Sequence, residues 1–182
     1  FDDLDKIPDV LEKIEAKLGK LAVYGNHDIG GGAIRHYEGL MEAGGFVVLD
    51  NESRKFGLKE KGIRVFGGGE ALMGDHDPKR TMKGIREGDV NILLLHEPDL
   101  ADEYTAYPVD LILSGHSHGG QVYIPFHGPV KKNALSEKYN KGFYELKNDR
   151  GTKLYVSSGL GNTKYPFRFM NVPEIRVMEL SI

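Results

Sequence analysis

Three apolar runs in this chain end in polar residues of the types that bind metals, and this repeated ending constrains the fold more than any other feature. The runs are "LAVYGNHD", "ILLLHEPD" and "LILSGHSH". The polar residues at their ends are Asn26, His27 and Asp28, then His96, then His116 and His118. Continuous apolar runs are typical of strands buried on both faces of a parallel sheet. Helical patterns separate the runs, so we predict one α/β domain over residues 1–182.

The ends of these three runs are expected to meet, because ligands of parallel sheets bind beyond the carboxyl ends of the strands. Imidazole and carboxamide groups suit hard and borderline metals. The chain has no cysteine, so a thiolate site is excluded. In the segment His-Ser-His, extended backbone would send both imidazoles to one side, where they can serve two neighbouring metals. The sequence therefore predicts a metal site built from nitrogen and oxygen ligands.

Each of these features also has a simpler interpretation. A lone histidine such as His96 is more often an ordinary polar residue than a ligand, and "GNHD" alone is compatible with a turn. The combination of three strand ends favours the metal site. His36, His76 and His127 lack this context, and we predict that they are not ligands.

The composition narrows the possible partners. The net charge is −3, from 24 basic and 27 acidic residues, which gives no support for a nucleic-acid partner. No apolar run approaches the roughly 18 residues of a membrane span.

Other patterns predict individual elements. Ile7, Val10, Leu11, Ile14 and Leu18 recur at helical spacing before Gly19. "SRKFGLKEKGIRVFGGG" predicts a hairpin with its turn near Glu60 to Gly62. "PKRTMKGIREG" predicts a helix, and the tail holds three candidate strands: "GFYEL", "TKLYVSSG" and "EIRVMEL".

Taken in order, "GNHD", the histidine of "LLLHEPD" and "GHSHGGQ" resemble the last three motifs of the calcineurin-like metallophosphoesterases. "LILSGHSHGGQVYIPF" and "SSGLGNTKYPFRFMNVPEI" look like a bacterial branch of cell-envelope phosphoesterases, related to UDP-diacylglucosamine pyrophosphatases. The resemblance implies an α/β fold in which two mixed β-sheets pack as a sandwich flanked by helices.

The resemblance also implies roles for the six polar residues. Asn26, His96 and His116 would bind one metal and His118 a second, the pair being divalent or trivalent manganese, iron or zinc ions. His27 would not be a ligand but would assist the leaving group, and Asp28 would orient His27.

The implied activity is hydrolysis of a phosphodiester, phosphomonoester or pyrophosphate bond by a hydroxide that bridges two metals. The substrate would be a small-molecule or lipid-linked phosphoester, and the expected location is the cell envelope, exported or associated with a membrane surface, with the cytoplasm as the alternative. A non-catalytic metal-binding or scaffolding relative remains open. A zinc peptidase is disfavoured because no "HExxH" occurs. The segment "KYPFRFMN" has two interpretations, a substrate or lipid-facing rim and an ordinary surface loop.

The chain departs from this family at its beginning. The family also has upstream "DxH" and "GDxxD" motifs, and neither occurs in residues 1–24. We therefore expect these residues to be the C-terminal part of a longer protein, without the N-terminal strands of the sheets. We also expect the isolated chain to be weakly active or inactive.

Overall fold

The computed structural model describes residues 4–30, 34–57, 62–164 and 166–180. It contains four α-helices: α1 (Ile7–Glu12), α2 (Asn26–Gly30), α3 (Ile34–Ala43) and α4 (Pro78–Thr81). Its strands in chain order are β1 (Lys20–Ala22), β2 (Phe46–Val48), β3 (Glu52–Phe56), β4 (Ile63–Gly67), β5 (Val90–Leu95), β6 (Leu111–Ser114), β7 (Tyr123–Ile124), β8 (Gly128–Pro129), β9 (Gly142–Glu145) and β10 (Lys153–Val156). Three 3₁₀ helices span Leu4–Lys6, Pro98–Tyr104 and His118–Gly120.

A six-stranded mixed sheet forms the centre of the molecule, in the order β3-β4-β5-β6-β10-β9. The four inner strands are parallel to one another, and the outer strands β3 and β9 are antiparallel to their neighbours. The expected mixed α/β architecture is therefore confirmed.

One face of this sheet carries the larger apolar core. Phe66, Leu93, Ile112 and Leu154 are fully buried there, together with Tyr104 from the 3₁₀ helix Pro98–Tyr104. Burying a side chain of this size is worth about 1.5–3 kcal/mol. This core fixes the inner strands, whose carboxyl ends position the candidate site.

The opposite face packs against a second sheet. Strands β1 and β2 form a two-stranded parallel sheet, and Leu21 and Val47 of these strands join a second apolar cluster with Ile92 and Leu111 of the large sheet. The two sheets are thus layered as expected for a sandwich, with two strands in the second layer among the described residues.

Three predicted elements differ from the structure. The first helix ends at Glu12 rather than near Gly19, and Val10 and Ile14 are exposed instead of packed. The helix predicted over "PKRTMKGIREG" ends at Thr81 and continues as turns. The predicted strand "EIRVMEL" is not a strand, because no described strand pairs with residues 174–180.

The predicted hairpin is confirmed as the antiparallel pair β3–β4, although most of its turn, residues 58–61, lies outside the described residues. "GFYEL" and "TKLYVSSG" are confirmed as β9 and β10. Among the described residues, every helix is too short or too polar to cross a membrane.

Candidate metal centre

The predicted site residues lie beyond the carboxyl ends of neighbouring strands. His96 follows β5 directly, His116 follows β6 after Gly115, and Asn26 opens α2 shortly after β1. Strands β5 and β6 are parallel and adjacent, so their carboxyl ends share one edge of the sheet. The fold therefore places these three side chains at the same edge.

Their ligand atoms are in direct contact. Nε2 of His96 lies 3.1 Å from Oδ1 of Asn26 and 3.2 Å from Nδ1 of His116. Nε2 of His116 is 2.8 Å from the carbonyl oxygen of Ala134. A carbonyl only accepts, so this nitrogen carries the proton and a neutral His116 presents the lone pair of Nδ1 to His96.

This arrangement fits a metal ion. Two ligand atoms bound tetrahedrally at about 2.1 Å lie about 3.4 Å apart, close to the two separations observed here. The electrostatic environment agrees, because burial lowers the pKa of His96 to about 4, with a further contribution from nearby His116. Burial also lowers the pKa of His116. Neutral imidazole is the form that binds metal.

Gly25 allows His96 to reach this position. A Cβ atom at residue 25 would lie 2.6 Å from Cε1 of the His96 ring and 3.0 Å from each ring nitrogen. Any larger residue would therefore occupy the space of the candidate ligand, which makes glycine a requirement for the close approach.

The segment from Gly115 to Gln121 is a tight turn, so the prediction of extended backbone for His-Ser-His is wrong. His116 and His118 have φ values of 60° and 49°, in the left-handed region. The N–H of Ser117 donates to the carbonyl of Gly115, and that of Gly120 to the carbonyl of Ser117. Non-glycine residues in this region carry strain of about 1–3 kcal/mol each and are typical of functional sites.

His118 faces the same cleft, but the described residues show no hydrogen bond between His118 and the other candidate ligands. Its Nδ1 lies 3.1 Å from the carbonyl oxygen of Gly161, which leaves Nε2 as the available ligand atom. Arg168 also donates to that carbonyl. The buried amide of Asn171 donates to the backbone carbonyl of His118, so the chain after β10 holds this histidine in place.

A cleft of about 310 Å³ is lined by Asn26, His27, His116 and His118. His27 is exposed on its wall. The carboxylate of Asp28 accepts a hydrogen bond of 2.8 Å from the N–H of Gly25 rather than from His27. Burial raises the pKa of Asp28, against the opposing effects of that N–H and of His27. The structure thus places His27 at the cleft and Asp28 next to it on α2, and their catalytic roles stay predictions.

Sequence reasoning missed a buried pair of acids beside this site. Glu70 and Glu97 are 1% and 0% exposed. The Glu97 carboxylate lies within 4.8 Å of ring nitrogens of His96 and His116. Burial and the neighbouring carboxylate of Glu70 raise the pKa of Glu97 to about 8. The only sequence signal was the position of Glu97 directly after His96.

Glu70 organises the loop that reaches the cleft. Its carboxylate accepts hydrogen bonds from the N–H groups of Leu72, Met73 and Gly74, at 3.0, 2.7 and 2.9 Å. Burial favours the neutral acid, but Glu97 and these bonds outweigh it, so the pKa of Glu70 is lowered. The ordered loop brings Leu72 to the cleft wall.

The remaining histidines lie elsewhere. His76 contacts the carbonyl of Gly69 and the carboxylate of Glu103, at 3.1 and 3.2 Å. His36 and His127 are exposed, and the prediction that these three histidines are not ligands stays a prediction.

Comparison with known proteins identifies relatives over most of the chain. The model of the calcineurin-like phosphoesterase family matches residues 2–120. The chain is 41% identical over 172 residues to the uncharacterized metallophosphoesterase YkuE of Bacillus subtilis, covering 94% of this chain and 59% of that protein. It is 29% identical over 151 residues to the UDP-2,3-diacylglucosamine pyrophosphatase LpxG of Chlamydia trachomatis, covering 79% of this chain and 44% of that protein. No solved structure gives a significant match.

Proposed function

This chain belongs to the calcineurin-like phosphoesterase family, and on that premise we propose that it is part of a metal-dependent phosphohydrolase. The bond cleaved is a phosphodiester, phosphomonoester or pyrophosphate bond. The chain spans 59% of the length of YkuE and 44% of that of LpxG, and the proposal concerns the activity of the whole protein.

One observation carries the proposal. Asn26, His96 and His116 bring three ligand atoms within 3.1–3.2 Å of their neighbours at the carboxyl edge of the sheet. We expect these residues to hold one metal ion and Nε2 of His118 to contribute to a second, with manganese, iron or zinc as the ions. Bound metals would lower the pKa of a water molecule and offset the charge of the phosphoryl group.

The chain's own residues then position the substrate and move a proton. His27 is exposed on the cleft wall, where its imidazole can donate a proton to the leaving oxygen. Asp28 holds the start of α2 through Gly25 and thereby fixes the backbone that carries His27 and Asn26. The Glu70 loop closes one side of the cleft with Leu72.

The relatives support the choice of substrate class. The name of the Chlamydia trachomatis relative states a pyrophosphatase of UDP-2,3-diacylglucosamine, which is a lipid-linked substrate. By analogy we propose a small-molecule or lipid-linked phosphoester for this protein, and the cell envelope as its location.

The decisive experiment measures metal content and hydrolysis together. The full-length gene product and residues 1–182 are each loaded with Mn²⁺, Fe²⁺ or Zn²⁺ and assayed on bis(p-nitrophenyl) phosphate, p-nitrophenyl phosphate and a nucleoside diphosphate sugar. We expect hydrolysis by the gene product that His116→Ala abolishes, and weak activity of residues 1–182. Metal binding by the gene product without hydrolysis of any substrate would favour the scaffolding alternative and refute the proposal.

A further inference from the structure

The candidate catalytic cleft continues into a second pocket on the His118 side. This pocket has a volume of about 300 Å³, at the lower end of the range for small-molecule sites. It shares His118, Asn133, Thr163, Lys131 and Lys164 with the cleft that contains the candidate metal ligands. The two spaces are therefore parts of one binding surface, with His118 at their junction.

The second pocket has an apolar wall whose two segments are joined by backbone hydrogen bonds. Val122, Val130 and Phe167 line it, and the side chains of Val130 and Phe167 are 60% and 53% exposed. The wall is held by backbone hydrogen bonds between its two segments: Tyr123 N–H donates to Phe169, and Phe169 N–H donates to Gln121. Val130 and Phe167 therefore add exposed apolar surface to the rim of this pocket.

The charge of the same surface is positive. Lys131, Lys132 and Lys164 line the cleft, whereas none of the described residues that line either space is acidic. In the described part of the chain, Lys131 and Lys164 have no ion pair, and Lys132 bonds only a backbone carbonyl, that of Glu137. The whole chain carries a net charge of −3, so these lysines do not reflect a basic composition of the chain. Their positive charge is complementary to a phosphate group.

We propose that the second pocket binds the apolar substituent of an amphiphilic phosphoester, such as an alkyl or acyl chain, while Lys131 and Lys164 contact its phosphoryl oxygens. This assignment rests on the proposed function, since it places the scissile phosphate at the histidine cluster. The segment "KYPFRFMN" then contributes Lys164 and Phe167 to substrate recognition.

Binding tests the assignment without requiring turnover. Octyl phosphate and methyl phosphate, both below the micelle concentration of the octyl compound, are titrated into the protein by calorimetry, with and without Mn²⁺. We expect octyl phosphate to bind at least about tenfold more tightly, because its chain transfers methylene groups out of water. Phe167→Ser should remove most of this preference. Phe143→Ser is the matched control, because Phe143 is similarly exposed, at 62%, but lies on β9 away from the pocket.

A second set of measurements tests whether the lysines contact the phosphate group. Lys164→Gln should weaken both phosphates by a similar factor and leave their ratio unchanged. Octanol should bind far more weakly than octyl phosphate. Equal affinity for the two phosphates, or equal affinity for octanol and octyl phosphate, would overturn the assignment.

The two proposals fail separately. Absence of hydrolysis with an intact preference for octyl phosphate counts against the hydrolase alone. Hydrolysis by a protein that binds the two phosphates equally counts against the second pocket alone.

Discussion

Gly25→Ala tests whether His96 is held in place as a metal ligand. The new methyl group would lie 2.6 Å from Cε1 of the His96 ring. Carbon atoms pack at about 3.5–4.0 Å, so the ring has to move by about 1 Å. The backbone itself accepts alanine, because Gly25 is not among the residues with positive φ.

The displacement would break the arrangement of ligand atoms. Nε2 of His96 now lies 3.1 Å from Asn26 and 3.2 Å from His116, and metal ligands must hold their distances to within about 0.2 Å. We therefore expect Gly25→Ala to weaken the binding of Zn²⁺ or Mn²⁺ by about 100-fold, at the upper end of the losses caused by misplaced ligands. Overpacking should also lower the free energy of unfolding by about 1–3 kcal/mol.

Gly39→Ala provides the matched control. Gly39 lies within α3, and a Cβ there would meet nothing within 4 Å. Alanine should stabilise the helix by about 0.5–1 kcal/mol and leave metal affinity unchanged. Metal affinity is measured by calorimetry and folding by circular dichroism with urea. A folded Gly25→Ala protein with wild-type metal affinity would refute the reasoning.

Three further predictions address other parts of the molecule. In the full-length gene product, His27→Ala should lower turnover by about 10²- to 10⁴-fold and keep the metal, whereas His116→Ala should lose both turnover and metal. Metal content is measured by mass spectrometry beside the turnover of each variant. Loss of metal from both variants would show that His27 is a ligand. Asn171→Ala should lower the free energy of unfolding in urea by about 1–3 kcal/mol, since it leaves the carbonyl of His118 without its partner, and an unchanged urea midpoint would contradict this. The hydrogen bonds from Lys55 and from the N–H of Gly62 hold the pKa of buried Asp89 below its usual range, although burial alone would raise it. The stability that ionised Asp89 contributes is therefore fully present above the pKa of the unfolded state. It is lost as the pH falls through the lower pKa of the folded state. Asp89→Asn should therefore be less stable at pH 7 and lose less stability on acidification than wild type, and parallel pH profiles of urea midpoints would contradict this.

The sequence predicted that His96 and His116 would meet, because the apolar runs at Val90–Leu95 and Leu111–Ser114 are neighbouring parallel strands. Once two such strands are neighbours, the residues that follow them must share an edge. The pairing of neighbours needed no information beyond the order of the runs along the chain.

The local geometry could not be predicted in the same way. The turn from Gly115 to Gln121 depends on left-handed backbone at His116 and His118, which histidine rarely adopts without tertiary support. That support comes from backbone carbonyls at Ala134 and Gly161, and a backbone carbonyl has no signature in the sequence.

The prediction for "EIRVMEL" failed for a related reason. Alternating apolar residues indicate a strand only when a partner strand pairs with them. Ile175 and Val177 are instead 78% and 90% exposed, and only Met178 of this segment packs against the second apolar cluster.

The way the chain after β10 returns to His118 has a consequence for biosynthesis. The contact between His96 and Asn26 joins residues 70 positions apart, and that between Asn171 and His118 joins residues 53 positions apart. Contacts between such distant residues form slowly, because long loops must close before the contacts stabilise them. On the ribosome, the first apolar strands can pair while the last segment is still inside the exit tunnel, but His118 cannot be held until residue 171 has emerged. Any metal binding that depends on His118 should thus come after residue 171 has left the ribosome.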